Sequence, residues 1–218
     1  MLFEIPRIEI APGAVHLPGW LDPGRQRRLV DTCRSWAQGP GGLHQHRTRG
    51  GVMSVRMTAL GWYWRPYRYT SVLPDGQPVQ PFPQELEQLA RRALADAYGD
   101  TPPDGAHEAH YDVALVNFYD STARMGMHQD RDERSDAPVI SVSLGDSCVF
   151  RFGNTETRSR PYTDIELGSG DLFVFGGPTR MAHHGVVRIH PNTADPRCGL
   201  AEGRLNITIR ATGFDTDT

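Results

Sequence analysis

The sequence has no lysine; its 23 basic side chains are all arginine. That bias can follow from genome composition alone and implies no activity. Cysteine is scarce. Cys33, Cys148 and Cys198 lie far apart, odd in number and outside any CxxC spacing. This excludes a disulfide framework and a zinc knuckle, and predicts buried thiols in a reducing compartment. No apolar run approaches the length of a membrane-spanning helix, and with 38% hydrophobic and 22% charged residues the chain reads as soluble. Met1 to Glu9 lacks a basic start, a continuous apolar core and a small-residue cleavage site, so the expected location is cytoplasmic. A net charge of −3 excludes a globally basic nucleic-acid binder, so any such affinity has to be local. No internal repeat or low-complexity tract is present. At 218 residues the chain is long enough for a full core yet within one domain, 1–218, and nothing asks for more than a monomer.

Helix-end chemistry marks two helices. Asp22 is placed to cap one that begins at Pro23 and runs to about Ala37, before Gly39-Pro40-Gly41-Gly42. A second begins near Pro83 and runs to Tyr98; Leu86, Leu89, Ala90, Ala93, Leu94 and Ala97 form one apolar stripe along it. From Asp112 the period changes to short β-type runs between turns: 112–119, 124–130, 138–145, 147–153, 162–167, 171–176, 183–189 and 204–212. This spacing predicts a mostly β fold with flanking helices, a double-sheet jelly roll over about 112–213. Ahead of it, no acidic residue occurs between Asp31 and Asp75, whereas Arg34, Arg47, Arg49, Arg56, Arg65 and Arg68 do, with Trp36, Trp62, Tyr63, Trp64, Tyr67 and Tyr69. A local basic and aromatic surface is therefore expected as an insertion before the barrel.

His128-Gln129-Asp130 sets an imidazole and a carboxylate at i and i+2, on one face of a strand and about two rises apart. Chance alone yields roughly 0.7 such triplets in this composition, and a second, His110-Tyr111-Asp112, is present. Context separates them. The later triplet follows one strand and precedes others, and a further imidazole, His183 or His184, follows Asp171-Leu-Phe-Val-Phe-Gly-Gly177. Two histidines and one carboxylate from separate strands make a facial triad that leaves three positions open on non-haem Fe(II). Adjacent strand residues face opposite ways, so only one of His183 and His184 serves. His107-Glu-Ala-His110-Tyr-Asp112 offers zinc-ligand residue types, but it lies where a Pro/Gly-rich loop enters a strand and reads as solvated loop histidines.

Arg204-Leu205-Asn206-Ile207-Thr208-Ile209-Arg210 alternates strictly, with Arg204, Asn206, Thr208 and Arg210 on one face. If that face looks into the barrel, two guanidinium groups converge there and are costly without anionic partners. A dicarboxylate such as 2-oxoglutarate fits, each end taking a charge-assisted contact from one arginine.

These segments together resemble the AlkB family of oxidative dealkylases. The resemblance rests on Asn117-Phe-Tyr119, His128-Gln-Asp130-Arg-Asp132-Glu133, Pro138-Val-Ile-Ser-Val-Ser-Leu-Gly145, Phe152-Gly153, Gly176-Gly177, His184-Gly185 and Arg204 to Arg210, with Gly50 to Thr58 and Leu60-Gly61-Trp62. It spans nearly the whole chain and is closest to the bacterial members; the combination is far more specific than any one motif. It implies a double-stranded β-helix with an N-terminal nucleotide-recognition lid at about 44–70, and Fe(II), 2-oxoglutarate and O2 as cofactors and co-substrates. It implies iron on His128, Asp130 and His184, and 2-oxoglutarate on Arg204 (distal carboxylate) and Arg210 (proximal carboxylate), assisted by Asn117, Tyr119 and Asn206. Substrate contacts are implied for Trp62, Tyr67, Tyr69 and Asp132, the last to the exocyclic amino group of a base, and for Arg158, with Arg160 competing. The segment from Trp62 to Tyr67 is shorter than the bacterial pattern. The implied reaction is direct repair of N-alkylated bases such as 1-methyladenine and 3-methylcytosine in single- or double-stranded DNA, with RNA left open. It releases formaldehyde, succinate and CO2.

Overall fold

The Asp22 carboxylate accepts the Arg25 amide at 2.9 Å and so caps α1 (Pro23–Gln38), whose first residue has no amide to leave unpaired. The structure, a computed structural model, describes residues 6–103, 105–106 and 109–214. Helix α2 (Gln84–Tyr98) turns Leu86, Ala90, Ala93 and Ala97 fully inward.

Among the described residues the strands are β1 (Ile8–Ala11), β2 (Ala14–Leu17), β3 (His44–Thr48), β4 (Gly51–Leu60), β5 (Tyr63–Arg65), β6 (Arg68–Thr70), β7 (Val113–Tyr119), β8 (Met125–His128), β9 (Val139–Gly145), β10 (Ser147–Phe152), β11 (Thr163–Leu167), β12 (Leu172–Phe175), β13 (His184–His190) and β14 (Arg204–Arg210). They form an eight-stranded sheet ordered β1-β2-β12-β9-β14-β7-β4-β3, a four-stranded sheet β11-β10-β13-β8 and a two-stranded sheet β5-β6. The fold is mostly β with flanking helices, consistent with the jelly-roll class. Two expectations change. The run 124–130 ends as a strand at His128, so Asp130 sits on the following loop rather than on the strand. The basic segment is also not a separate insertion, because β4 extends the large sheet by pairing with β7 from Arg56↔Phe118 to Leu60↔Ala114.

Period-2 alternation assigns the two faces of the large sheet. Outward residues Val116, Ile140, Val142, Leu172, Val174, Leu205, Ile207 and Ile209 share one apolar cluster with Leu29, Val30 and Trp36 of α1 and Leu86 and Ala90 of α2. Their neighbours point the other way. Tyr119, Val139, Phe173 and Phe175 join Phe150, Phe152 and Val186 of the smaller sheet in a second cluster. Aromatic edges close that seam, with the Phe150 and Phe173 ring centres 5.0 Å apart. The three cysteines are free and buried, and no described helix is long and apolar enough to cross a membrane.

Candidate active site

The polar face of β14 lies between the sheets. Arg204, Asn206, Thr208 and Arg210 line a cavity of about 770 Å3, together with Asn117 and Tyr119 of β7, Ser141 of β9, His128, Asp130 and His184. In register, Asn206 stands between Asn117 and Ser143.

Strands β8 and β13 pair His128 directly against His184. Glycine at 185 permits this: a Cβ there would come within 2.5 Å of the Met125 carbonyl oxygen. The two rings are 4.5 Å apart, and one ligand atom from each of His128, Asp130 and His184 falls within 4.8 Å of the others. His128 Nδ1 contacts the Gly126 carbonyl at 2.9 Å and His184 Nδ1 the Ala182 carbonyl at 3.0 Å. A carbonyl only accepts, so both Nδ1 atoms carry hydrogen and both Nε2 lone pairs are free. Those Nε2 atoms lie 3.6 Å from Asp130 Oδ1 and Oδ2 respectively. Burial pushes the His184 imidazole down to about 4 despite Asp130 beside it, which keeps it neutral. Burial works against the Asp130 charge, but Arg210, then His184, His128 and Arg180, outweigh it and hold the carboxyl far below its usual range. Asp130 Oδ2 is buried with no hydrogen-bond donor. Two neutral imidazoles and one ionised carboxylate with an unfilled oxygen fit a divalent iron.

His183, the alternative at sequence level, directs Nδ1 to the Asn154 carbonyl at 3.1 Å and stands outside the triad, though it borders the cavity. The other triplet is engaged elsewhere. Asp112 accepts from the Thr212 amide at 2.7 Å, the Thr212 hydroxyl at 2.5 Å and Trp62 Nε1 at 2.9 Å, and His107 lies outside the described residues.

The two arginines of β14 differ. Arg204 is 1% exposed; among the described residues its one hydrogen-bond partner is the Ser143 hydroxyl, at 2.8 Å from Nη2, its guanidinium lies 5.4 Å from the Tyr119 ring centre, and Nε and Nη1 have no hydrogen-bond partner. A buried cation with unmet donors costs several kcal/mol, on the order of 3–5, so the site fits a carboxylate of a ligand. Arg210 contacts Asp130 Oδ1 at 2.8 Å and Glu133 Oε1 at 3.1 Å, and donates to the Tyr69 hydroxyl at 3.0 Å. The two converging guanidiniums thus differ in their protein partners: Arg210 is paired with carboxylates of the protein, and Arg204 is not. Its Nε remains unpartnered, as does Asn117 Oδ1.

On the substrate side, Tyr67, Asp132 and Arg158 border the cavity. Arg160 instead stacks on Tyr162, its guanidinium 5.3 Å from the ring centre. Two other residues with expected substrate contacts are hydrogen-bonded within the protein. Trp62 precedes β5, donates to Asp112 and sets its ring against Phe214 at 5.4 Å, away from the cavity. Tyr69 lies beneath the wall, donating to Glu133 Oε1 at 2.6 Å. Trp64 borders the cavity instead. Trp62 and Trp64 share a parity, so alternation could not separate them; Gly61, at φ +81, bends the chain before β5 begins. Tyr67 occupies φ +75 at the β5–β6 turn and is 51% exposed. A bulky residue held there costs about 1–3 kcal/mol. The Arg49 guanidinium covers its ring at 5.1 Å. Sequence reasoning gave no role to Glu133 or Arg180. Fully buried Glu133 ties Arg210 to Arg180, which reaches it at 3.2 Å and also donates to the Asp130 backbone carbonyl at 2.6 Å.

Residues 13–210 match the 2OG-Fe(II) oxygenase superfamily. An alpha-ketoglutarate-dependent dioxygenase AlkB homolog of Caulobacter vibrioides is 40% identical over 210 residues, covering 93% of this chain and 89% of that protein. The DNA N(6)-methyladenine demethylase ALKBH1C of Arabidopsis thaliana is 36% identical over 223 residues, covering 92% of this chain; the chain spans 49% of that relative's length. The solved structure of OsALKBH1 superposes with a TM-score of 0.84 at 31% identity, over 94% of this chain and 99% of that one. With the triad in place and the match running through both β14 arginines, the chain belongs to the AlkB family of Fe(II)- and 2-oxoglutarate-dependent dioxygenases.

Proposed function

We propose that this protein repairs N-alkylated bases in DNA by oxidative dealkylation, with 1-methyladenine and 3-methylcytosine as substrates and RNA as the alternative polymer. One observation carries the reading. A single cavity joins a three-residue metal site, a buried guanidinium with no carboxylate, and an aromatic and basic mouth.

His128, Asp130 and His184 would hold the iron, the two imidazoles through their free Nε2 atoms and Asp130 through its carboxylate. Arg204, steadied by Ser143, takes the distal carboxylate of 2-oxoglutarate, and Asn117, Tyr119 and Asn206 line its bed. Arg210 keeps Asp130 ionised and faces the proximal end. When bound, the iron with 2-oxoglutarate and dioxygen supplies oxidation of the alkyl carbon on the base nitrogen. The resulting N-hydroxymethyl group falls apart to formaldehyde and the free base, so no protein nucleophile is needed. A base inside a duplex cannot reach this depth, so it enters flipped out or from a single strand. Trp64 and Tyr67 offer stacking surfaces worth about 1–3 kcal/mol per base. Arg47, Arg49, Arg65 and Arg68 gather around Tyr67 at a neighbouring depression where phosphates can run.

The Arabidopsis relative's name favours N(6)-methyladenine as a second substrate. Incubating the iron-loaded protein with 2-oxoglutarate and oligonucleotides bearing each methylated base, followed by mass spectrometry, tests both. Restored base with formaldehyde supports the reading. Succinate formed with no base restored would point to a small-molecule or protein substrate instead.

A further inference from the structure

Trp64 and Asp132 meet at the cavity wall. The indole Nε1–H donates to Asp132 Oδ2 at 2.8 Å, and both residues border the cavity. The indole is held from two sides. Its ring stands edge-on to buried His46 at 5.1 Å and 82°. Its cross-strand partner Tyr69 is tied to Glu133, the residue after Asp132. We propose that Trp64 is a specificity-determining positioning residue: it orients the Asp132 carboxylate so that the cavity selects bases with an exocyclic amino group over bases with a keto oxygen at the same edge. This rests on the nucleic-acid reading above.

A carboxylate only accepts and an indole N–H only donates. With Oδ2 engaged, Oδ1 is the oxygen left for an incoming base, and among the described residues no other side chain donates to this carboxylate. An adenine or cytosine amino group completes the arrangement. A thymine or guanine oxygen would set acceptor against acceptor and leave both unmet. Sites built to hydrogen-bond a substrate group reject analogues lacking it by up to about 10⁴–10⁵. Trp64 and Asp132 are only partly buried, so water softens the penalty, and a factor of about 10–100 is the scale expected. Without the indole N–H, the carboxylate turns and hydrates. It keeps its charge, so its attraction for a cationic methylated base survives while the directional preference does not.

The test compares oligonucleotides carrying 3-methylcytosine and 3-methylthymine, which share the N3 methyl and differ in amino against keto, in the charge that goes with it and in the C5 methyl, so each variant is read as a change from the wild-type preference. Two quantities are read: kcat/KM with the iron-loaded full chain, and dissociation constants with the Mn(II)-loaded protein, which isolate binding. Trp64→Phe keeps an aromatic wall and removes the N–H. Its preference for 3-methylcytosine is expected to fall about tenfold, a change of about 1.4 kcal/mol, with 3-methylthymine unchanged or improved. Asp132→Asn, which removes the charge and can turn an amide N–H to the cavity, is expected to shift the preference the same way and further; Trp64→Leu, which also lacks the N–H and leaves Asp132 charged, carries the test should Trp64→Phe not fold. Equal losses on both bases, or an unchanged preference, would overturn the proposal while leaving the repair reading intact. A wild-type protein that neither binds nor demethylates either oligonucleotide would overturn both.

Discussion

Arg204 and Arg210 stand on one face of one strand and border one cavity, yet the first has no carboxylate beside it and the second has two. Both side chains are buried, so the contrast is not one of exposure. It separates two uses of a buried cation. Where the protein supplies the anions, the arginine is part of the frame that orients a metal ligand. Where it supplies none, the charge is left for an anion from outside to complete.

The largest test of that contrast is Asp130→Ala, which removes a metal ligand and the nearer partner of Arg210. Turnover is expected to fall to background and metal binding to be lost, with destabilisation of about 3–5 kcal/mol from the orphaned charge. Retained metal-dependent turnover would break the assignment. Next come the two arginines separately. Without ligand, Arg210→Met is expected to lower unfolding free energy by a similar 3–5 kcal/mol or so in urea melts, because buried Asp130 loses its arginine ion pair and Glu133 keeps only Arg180. Arg204→Met is expected to cost nothing or to stabilise. Equal losses would erase the distinction. Third, saturating 2-oxoglutarate at a hundredfold excess over Kd is expected to add about 2.7 kcal/mol of stability to the metal-loaded protein, and Arg204→Met to lose most of that gain; an undiminished gain would place the ligand elsewhere.

The smallest effect concerns His46, another buried group without a compensating charge. Burial, then His44, pushes its imidazole from an ordinary 6.5 down to about 4. Its folded value lies below its unfolded one, so the unfolded chain binds more protons between those limits. The contribution is therefore fully present above 6.5 and lost as pH falls towards 4. Melts of the wild type and His46→Gln across that window should show a shallower acid decline in the variant; parallel curves would mean that His46 stays accessible to protons in the fold.

How far the sequence could be read follows the same division. Alternation along β14 put Arg204 and Arg210 on one face because parity is a local property, and each of the eight runs expected from Asp112 onward contains a strand. Parity says nothing of partners. Glu133 reaches Arg210 from 77 positions away and Tyr69 from 141, and only the closed fold brings them together. β1, β2, β5 and β6 have three or four residues each, too few to show a period. Trp62 and Trp64 share a parity, and the bend at Gly61 decides that Trp64 is the one bordering the cavity.

The β5–β6 ribbon is held at one rung. Trp64 and Tyr69 face each other across it and land on the successive residues Asp132 and Glu133. Everything beyond that rung, Arg65 to Arg68, projects past the anchorage like a fingertip beyond its last knuckle. Chain added at Pro66 would shift Tyr67 at the rim of the cavity while leaving the rung on its two carboxylates, whereas one residue added between Gly61 and Trp64 would turn the anchoring ring off its seat. Rim and wall are adjustable separately here, and the rung is the line between them.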